Sequence, residues 1–450
     1  MRRLDGFEGV WWGVLEAGGQ RLRLVFRISR TTDGGWTASI DSPDQGAQGI
    51  PVSAVQIEGR QITLKSELVQ GEFVGALSAD GKQLEGVWRQ SGGEFKLTLA
   101  RGEPPKPKRP QEPQPPFPYR TEEVRVPNRK AKIELAGTLT LPEGKPPFPA
   151  IVLLTGSGAQ NRDEEVFGHK PFLVLADFLT RAGYATLRMD DRGIGGSGGE
   201  FGRATTFDFA EDALAAVRYL RNRKEIDRKR IGLLGHSEGA LVGAIAAAQA
   251  PREVAFLIML AGTGVPGEQV LYRQAELMAR KANLAEPLIE RNRALQQRVF
   301  EILKRERDDA KAQQAIYDAL LRTLGADTTL TEAQKTALQT EVRNYTSPWF
   351  RTFLQLDPAV YLRKVRCPVL VLSGELDLQV DPNQNLPAIE RALREGGNKR
   401  FTIRRLHGLN HLFQKARTGL ITEYSEIEET INPEALNTIR QWLDETVKAR

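Results

Sequence analysis

Two patterns of hydrophobic positions divide the chain. Up to about residue 100 the apolar positions fall in short runs, at 22–28, 36–40, 52–57, 61–65, 72–77, 83–88 and 95–99. Gly34-Gly35, Glu58-Gly59, Asp80-Gly81 and Gly92-Gly93 punctuate them, and helical periodicity is absent. Short strands at even spacing with turn signals between them predict a small all-β domain, either a barrel or a sandwich.

From about residue 119 the pattern changes. Runs at 150–154, 184–187, 231–234, 254–260 and 369–372 are too short for helices and too apolar for half-exposed strands. They alternate with helical stretches near 170–182, 207–223, 238–250 and 433–448, which predicts a buried parallel sheet with crossover helices. Residues 268–324 break the alternation. They contain no glycine and are rich in Ala, Leu, Glu, Gln and Arg. Leu288, Leu295, Val299, Ile302 and Leu303 share one helical face, as do Ile316, Leu320 and Leu324. A helical block between two core strands predicts a cap over a site, inserted at about 264–355.

Between the two patterns, residues 103–118 hold eight prolines in sixteen positions. Proline removes a backbone donor and fixes φ, so this stretch carries neither a helix nor a sheet ladder and stays extended. It reads as a linker between an N-terminal domain at 1–102 and a second domain at 119–450. A polyproline ligand for an SH3-like partner is the lesser reading.

Composition narrows the classes. The 450 residues are 40% hydrophobic and 27% charged, with a formal net charge of +6, as expected for globular domains. No basic stripe interleaved with aromatics is present, which argues against nucleic acid as the partner. The single cysteine, Cys367, excludes an intrachain disulfide and a cysteine zinc site. No run of about 18 apolar residues exists, so no membrane span is expected. The opening residues lack an apolar signal region, which suits a cytosolic protein or a mature form whose leader was removed. Oligomeric state is not legible.

The chemistry concentrates around Gly235-His236-Ser237-Glu238-Gly239. An apolar strand precedes this Gly-x-Ser-x-Gly and an alanine-rich helix follows it. A serine on such a strand-to-helix turn is held strained, with its hydroxyl exposed and a helix N-terminus beside it. A serine nucleophile needs a base, and the base needs an orienting acid, in the chain order Ser…Asp…His for this turn type. Asp377 follows the strand at 369–372 and is the leading acid, with Asp381 and Glu375 behind it. His411 follows the strand-like 400–404 and is the leading base, with His407 behind it.

The stretches Gly235–Gly239, Asp190-Asp191-Arg192-Gly193-Ile-Gly195-Gly-Ser197, Gly374-Glu-Leu-Asp377 and Gly408-Leu-Asn-His411-Leu-Phe-Gln414 resemble the α/β-hydrolase superfamily. More narrowly, they resemble bacterial serine esterases with a β-rich N-terminal domain. Leu153-Leu-Thr-Gly156-Ser157-Gly158, Phe167-Gly-His169-Lys-Pro-Phe172 and, in the first domain, Asp41-Ser-Pro-Asp-Gln-Gly-Ala47 are similar to the same group. The resemblance implies an α/β-hydrolase fold with an inserted helical cap, preceded by the small all-β domain. It also implies Ser237 as nucleophile, Asp377 as acid and His411 as base. His407 departs from the pattern, since a proline or another non-titrating residue is expected there.

An oxyanion needs two aimed backbone donors. The Glu238 amide is one expectation. The other is Ser157, with Gly158 next, in the glycine-bearing loop after the strand at 150–154. That loop lacks the Lys-Ser/Thr of a phosphate-binding P-loop. Gly193-x-Gly195-x-x-Gly198 lacks the later acidic residue of a dinucleotide site, so it reads as structural, with Arg192 paired to a carboxylate. His169, Trp349 and Phe350 are candidate substrate contacts, each of which also fits ordinary packing. The expected reaction is hydrolysis of a small acyl ester, without cofactor. An aminopeptidase or acyl-aminoacyl peptidase with the same triad, and a ligand-binding protein on a hydrolase scaffold, are the alternatives.

Overall fold

The structure is a computed structural model, and it describes residues 6–17, 20–45, 47–90, 92–105, 108–324, 330 and 332–448. Linker residues 106 and 107, Gly46 and the Leu324 side chain lie outside the described set. The chain forms two compact units. One comprises Met1–Lys108, Leu321–Val342 and Ile421–Glu426. The other comprises Arg109–Leu320, Arg343–Leu420 and Ile427–Arg450.

The first unit is built on nine strands: β1 Gly9–Ala17, β2 Gln20–Arg30, β3 Trp36–Ser42, β4 Ala47–Pro51, β5 Ala54–Glu58, β6 Gln61–Ser66, β7 Gly71–Leu77, β8 Gln83–Gln90 and β9 Gly93–Arg101. They form a single antiparallel sheet in the order β4-β3-β2-β1-β9-β8-β7-β6-β5. The two edge strands, β4 and β5, are joined by only two residues. So short a link brings the edges together and curls the sheet into a half-barrel rather than a sandwich of two sheets. Alternate residues fill the hollow, among them Trp11, Phe26, Ile40, Leu64, Phe73, Leu84, Trp88 and Leu99. At Gly86 a Cβ would lie 2.1 Å from the Val74 carbonyl oxygen, so the tight bend there admits only glycine. Asp44 is buried in the same unit. Its carboxylate accepts the Arg23 amide at 2.6 Å and the Arg23 guanidinium at 3.0 Å, and the Ser425 hydroxyl donates to it.

The second unit holds β10 Arg120–Asn128, β11 Ile133–Leu141, β12 Phe148–Leu154, β13 Ala185–Met189, β14 Ile226–His236, β15 Leu257–Leu260, β16 Val369–Gly374 and β17 Phe401–Leu406. The sheet order is β10-β11-β13-β12-β14-β15-β16-β17. The pairings of β10 with β11 and of β11 with β13 are antiparallel, and the others are parallel. The crossover helices are α1 Pro171–Arg181, α2 Thr206–Arg221 and α3 Glu238–Gln249. The inserted block after β15 comprises α4 Gly267–Lys281, α5 Glu286–Arg305, α6 Asp309–Leu324, α7 Glu332–Tyr345, α8 Pro348–Gln355 and the short α9 Ala359–Leu362; of these, the last residues of α6 and most of α7 belong to the first unit. Helix α10, Pro382–Glu395, connects β16 to β17, and α11, Pro433–Leu443, closes the fold.

The continuous apolar runs follow from burial on both faces. Ala150, Val152 and Leu154 of β12 join the core under α2, α3 and α10, while Ile151 and Leu153 join the core under α1 and α11. Strand alternation sends each side chain to one layer or the other, and both layers are dry. In α5 the buried face is Ile289, Val299, Phe300 and Leu303. Leu288, expected on that face, is 43% exposed. Among the described residues no helix is long and apolar enough to cross a membrane.

Candidate active site

Strand β14 runs into α3 through Ser237, whose φ is +54° and ψ −119°. A non-glycine residue reaches that region only when its surroundings enforce it. Here they do. The Ser237 amide donates to the Leu260 carbonyl at 2.8 Å. A Cβ at Gly235 would lie 2.0 Å from the Gly239 carbonyl oxygen, and one at Gly239 would lie 2.1 Å from that of Leu154. Strand, turn and helix are therefore packed at backbone contact.

Asp377 lies after β16 and His411 after β17, at the same end of the sheet as Ser237. His411 Nδ1 is 2.8 Å from Asp377 Oδ2, and both residues are buried. The other Asp377 oxygen accepts the amides of Gln379 and Val380 at 2.9 and 2.8 Å, which fixes the carboxylate plane. Asn410 folds the turn around His411 by accepting the amides of Leu412 and Gln414. Among the described residues no hydrogen bond joins the Ser237 hydroxyl to the His411 ring. The ring centroids of His411 and of His236, the chain neighbour of Ser237, are 4.8 Å apart.

The remaining acids and imidazoles sit elsewhere. Asp381 caps α10 and pairs with Arg273 at 2.7 Å. Glu375 pairs with the exposed His407 at 2.6 Å. The loop after β12 runs against the nucleophile, where a Cβ at Gly156 would be 3.4 Å from Ser237 Cβ. Among the described residues the Ser157 and Gly158 amides take no acceptor. Glu238 is the first residue of α3, so the helix leaves its amide free.

Residues 170–415, more than half of the chain, match the family model described as serine aminopeptidase, S33. The chain belongs to the S33 family. It is an α/β hydrolase. Esterase EstD of Thermotoga maritima is 33% identical over 144 residues, which are 32% of this chain, and the chain spans only 34% of that relative's length. An uncharacterized 31.7 kDa protein from the traX-finO intergenic region of Escherichia coli is 26% identical over 280 residues, or 61% of this chain and 87% of that protein. Among solved structures, esterase Pf2001 of Pyrococcus furiosus is similar at 16% identity, covering 77% of this chain and 100% of that one, with a TM-score of 0.44.

Three side chains of this S33 hydrolase escaped the sequence reasoning. His236 Nε2 is 3.0 Å from the His411 carbonyl oxygen, which can only accept, so that nitrogen carries a proton. Its Nδ1 is 3.0 Å from Glu164 Oε1. Burial opposes charge on the ring, but the Glu164 carboxylate outweighs it and holds the His236 pKa above its ordinary value. The same Glu164 oxygen accepts the Gly156 amide at 2.6 Å. Glu164 and His236 thus tie the loop of Gly156 to the backbone of His411. Asp191 accepts the Thr155 hydroxyl at 2.7 Å and the Gln160 amide at 3.0 Å, bracing the same loop. Burial, aided by the Glu238 and Glu164 carboxylates and opposed by those two bonds, pushes its pKa up to about 7.

The other expected contacts resolve as follows. His169 is fully buried, with Nδ1 3.0 Å from Thr430 Oγ1 and Nε2 2.9 Å from Gln414 Nε2. Both of its ring nitrogens are thus engaged by side chains inside the protein. Phe350 packs among Phe300, Tyr345 and Trp349 in the inserted block. Trp349 donates to Glu238 Oε1 at 2.8 Å, and Thr206 donates to the same oxygen at 2.6 Å. Burial raises the Glu238 pKa against those two bonds. Arg192 pairs with Asp212 at 2.7 Å and with Asp208 at 3.1 Å, anchoring its loop to α2. Among the described residues no group of three His, Cys, Asp or Glu is arranged to hold a metal ion.

Proposed function

We propose that the protein hydrolyses carboxylic esters of small acyl groups through an acyl-enzyme. His411 Nε2 takes the proton of the Ser237 hydroxyl as its oxygen attacks the ester carbonyl. Asp377 fixes the imidazole tautomer and stabilises its cationic form. The Glu238 and Ser157 amides, with Gly158 as the neighbouring donor, stabilise the oxyanion. The C–O bond to the alcohol breaks as His411 returns the proton to it. Water, deprotonated by His411, then releases the acid and restores Ser237. The observation that carries this reading is the strained Ser237 elbow at the same sheet end as the buried His411–Asp377 pair.

Labelling with a fluorophosphonate and mapping the modified peptide tests it. Modification of Ser237, with turnover lost by about three orders of magnitude or more in Ser237→Ala, supports the assignment. Near-normal turnover in a folded Ser237→Ala sample overturns it. The family description favours a second reading, cleavage of an aminoacyl amide by the same residues. Parallel assays of short aryl esters and aminoacyl anilides separate the two.

A further inference from the structure

The end of the hydrolase sheet remote from Ser237 carries an open groove of about 460 Å³. It is lined where α2 ends, where β14 begins and where the chain enters β15, β16 and β17. Six cationic side chains line it: Arg221, Arg228, Lys229, Arg252, Arg366 and Arg400. Among the described residues Glu253 is the only carboxylate in the lining, and Arg218 already holds it at 3.1 Å. Among the described residues none of the six has a carboxylate within ion-pairing distance. Most arginines elsewhere in this unit do, including Arg162, Arg188, Arg192 and Arg223.

Three of the six are also held in place. Arg221 Nη1 donates to the Arg228 carbonyl at 3.1 Å. Arg366 Nη1 donates to the carbonyls of Arg363 and Gly396 at 2.8 and 3.0 Å, and Arg400 Nη2 donates to that of Arg366 at 2.9 Å. These bonds add no counter-charge and leave the other guanidinium N–H groups of each arginine available. A guanidinium fork held this way matches phosphate oxygens at low entropic cost. Cys367 at the floor is buried, which pushes its pKa up to about 12 and leaves no thiolate to react. Among the described residues no aromatic side chain lines the groove, so none there stacks a base.

We infer that this groove binds a compact, multiply charged phosphate compound of small-molecule size, recognised through its phosphates alone. The inference is independent of the reaction at Ser237. Calorimetric titration of the full chain with inorganic tripolyphosphate tests it. The expected result is one site per chain that weakens as salt is raised. Affinity should fall at least about tenfold in Arg228→Ala/Lys229→Ala, two exposed positions whose loss leaves the melting temperature and ester turnover unchanged. Arg366→Ala should weaken binding similarly. No binding at low salt, or equal binding by the double variant, overturns the inference. So does binding only to vesicles containing phosphatidic acid, which would assign the charge to a lipid surface.

Discussion

Glu164 serves two loops with one oxygen, and its exchange for an amide exposes that arrangement. In Glu164→Gln the side-chain oxygen can still accept the Gly156 amide, but it no longer favours a charged His236. The ring then turns a lone pair toward that oxygen, and the His411 backbone loses its fixed neighbour. We expect kcat to fall about 10²-fold with little change in KM, because a displaced base and oxyanion loop affect the reacting geometry more than binding. Steady-state kinetics on a short aryl ester check this, and an unchanged kcat counts against the linkage. Asp191 offers a pH test. Its folded pKa of about 7 lies above the ordinary carboxylate value of 3.8, so its contribution to stability is fully present below about pH 4 and is lost as pH rises through 7. Asp191→Asn removes that dependence. The variant should gain on the wild type by on the order of 3 kcal/mol between pH 4 and pH 8, read by denaturant melts at both ends. Ser237 was legible because its signal is local, a glycine-flanked serine between a strand and a helix. The partnership of Glu164 with His236 was not, since it spans 72 residues and no local pattern carries it.

Among the elements, helices α1, α2 and α11 were legible because each buries one periodic face, and α3 and the buried strands β12 to β16 because they are apolar nearly throughout. Strand β1 was passed over although glycines bracket it, because its run from Val10 to Leu15, broken only by Gly13, lacks the polar positions that alternate in the strands after it. Strands β10 and β11 were missed for a different reason. They pair antiparallel at the sheet edge, and β10 is exposed at every second residue over much of its length. Such a half-polar edge lacks the apolar run that marked its neighbours. The exposure of Leu288 shows the limit of periodicity, which orients a helix face only to within a residue or so. Close backbone approach at the nucleophile turn also makes a prediction at this scale. Gly239→Ala should destabilise by about 3 kcal/mol or more and lose activity, because the added methyl meets the Leu154 carbonyl. Gly202→Ala, where a Cβ meets nothing within 4 Å, should be nearly neutral. Equal melting temperatures for the two variants would contradict the packing argument.

At the scale of the whole molecule, the first compact unit is assembled from three stretches of chain that are far apart in sequence. Reading residues in order reveals the half-barrel strands but not their grouping with Leu321–Val342 and Ile421–Glu426. The bond from Ser425 to Asp44 and the one from Gln334 Nε2 to the Glu67 carbonyl at 3.3 Å contribute to that grouping. A fragment ending at Lys108 keeps Arg23 beside Asp44 but loses the Ser425 hydroxyl. It should therefore melt below the same strands in the full chain, as followed by amide hydrogen exchange at Ile62 and Phe73. During translation, the half-barrel strands leave the ribosome well before Ser425 does. The nascent first unit must wait through more than three hundred further residues before its Ser425 stitch exists, so its last contacts form only after most of the hydrolase unit has been made.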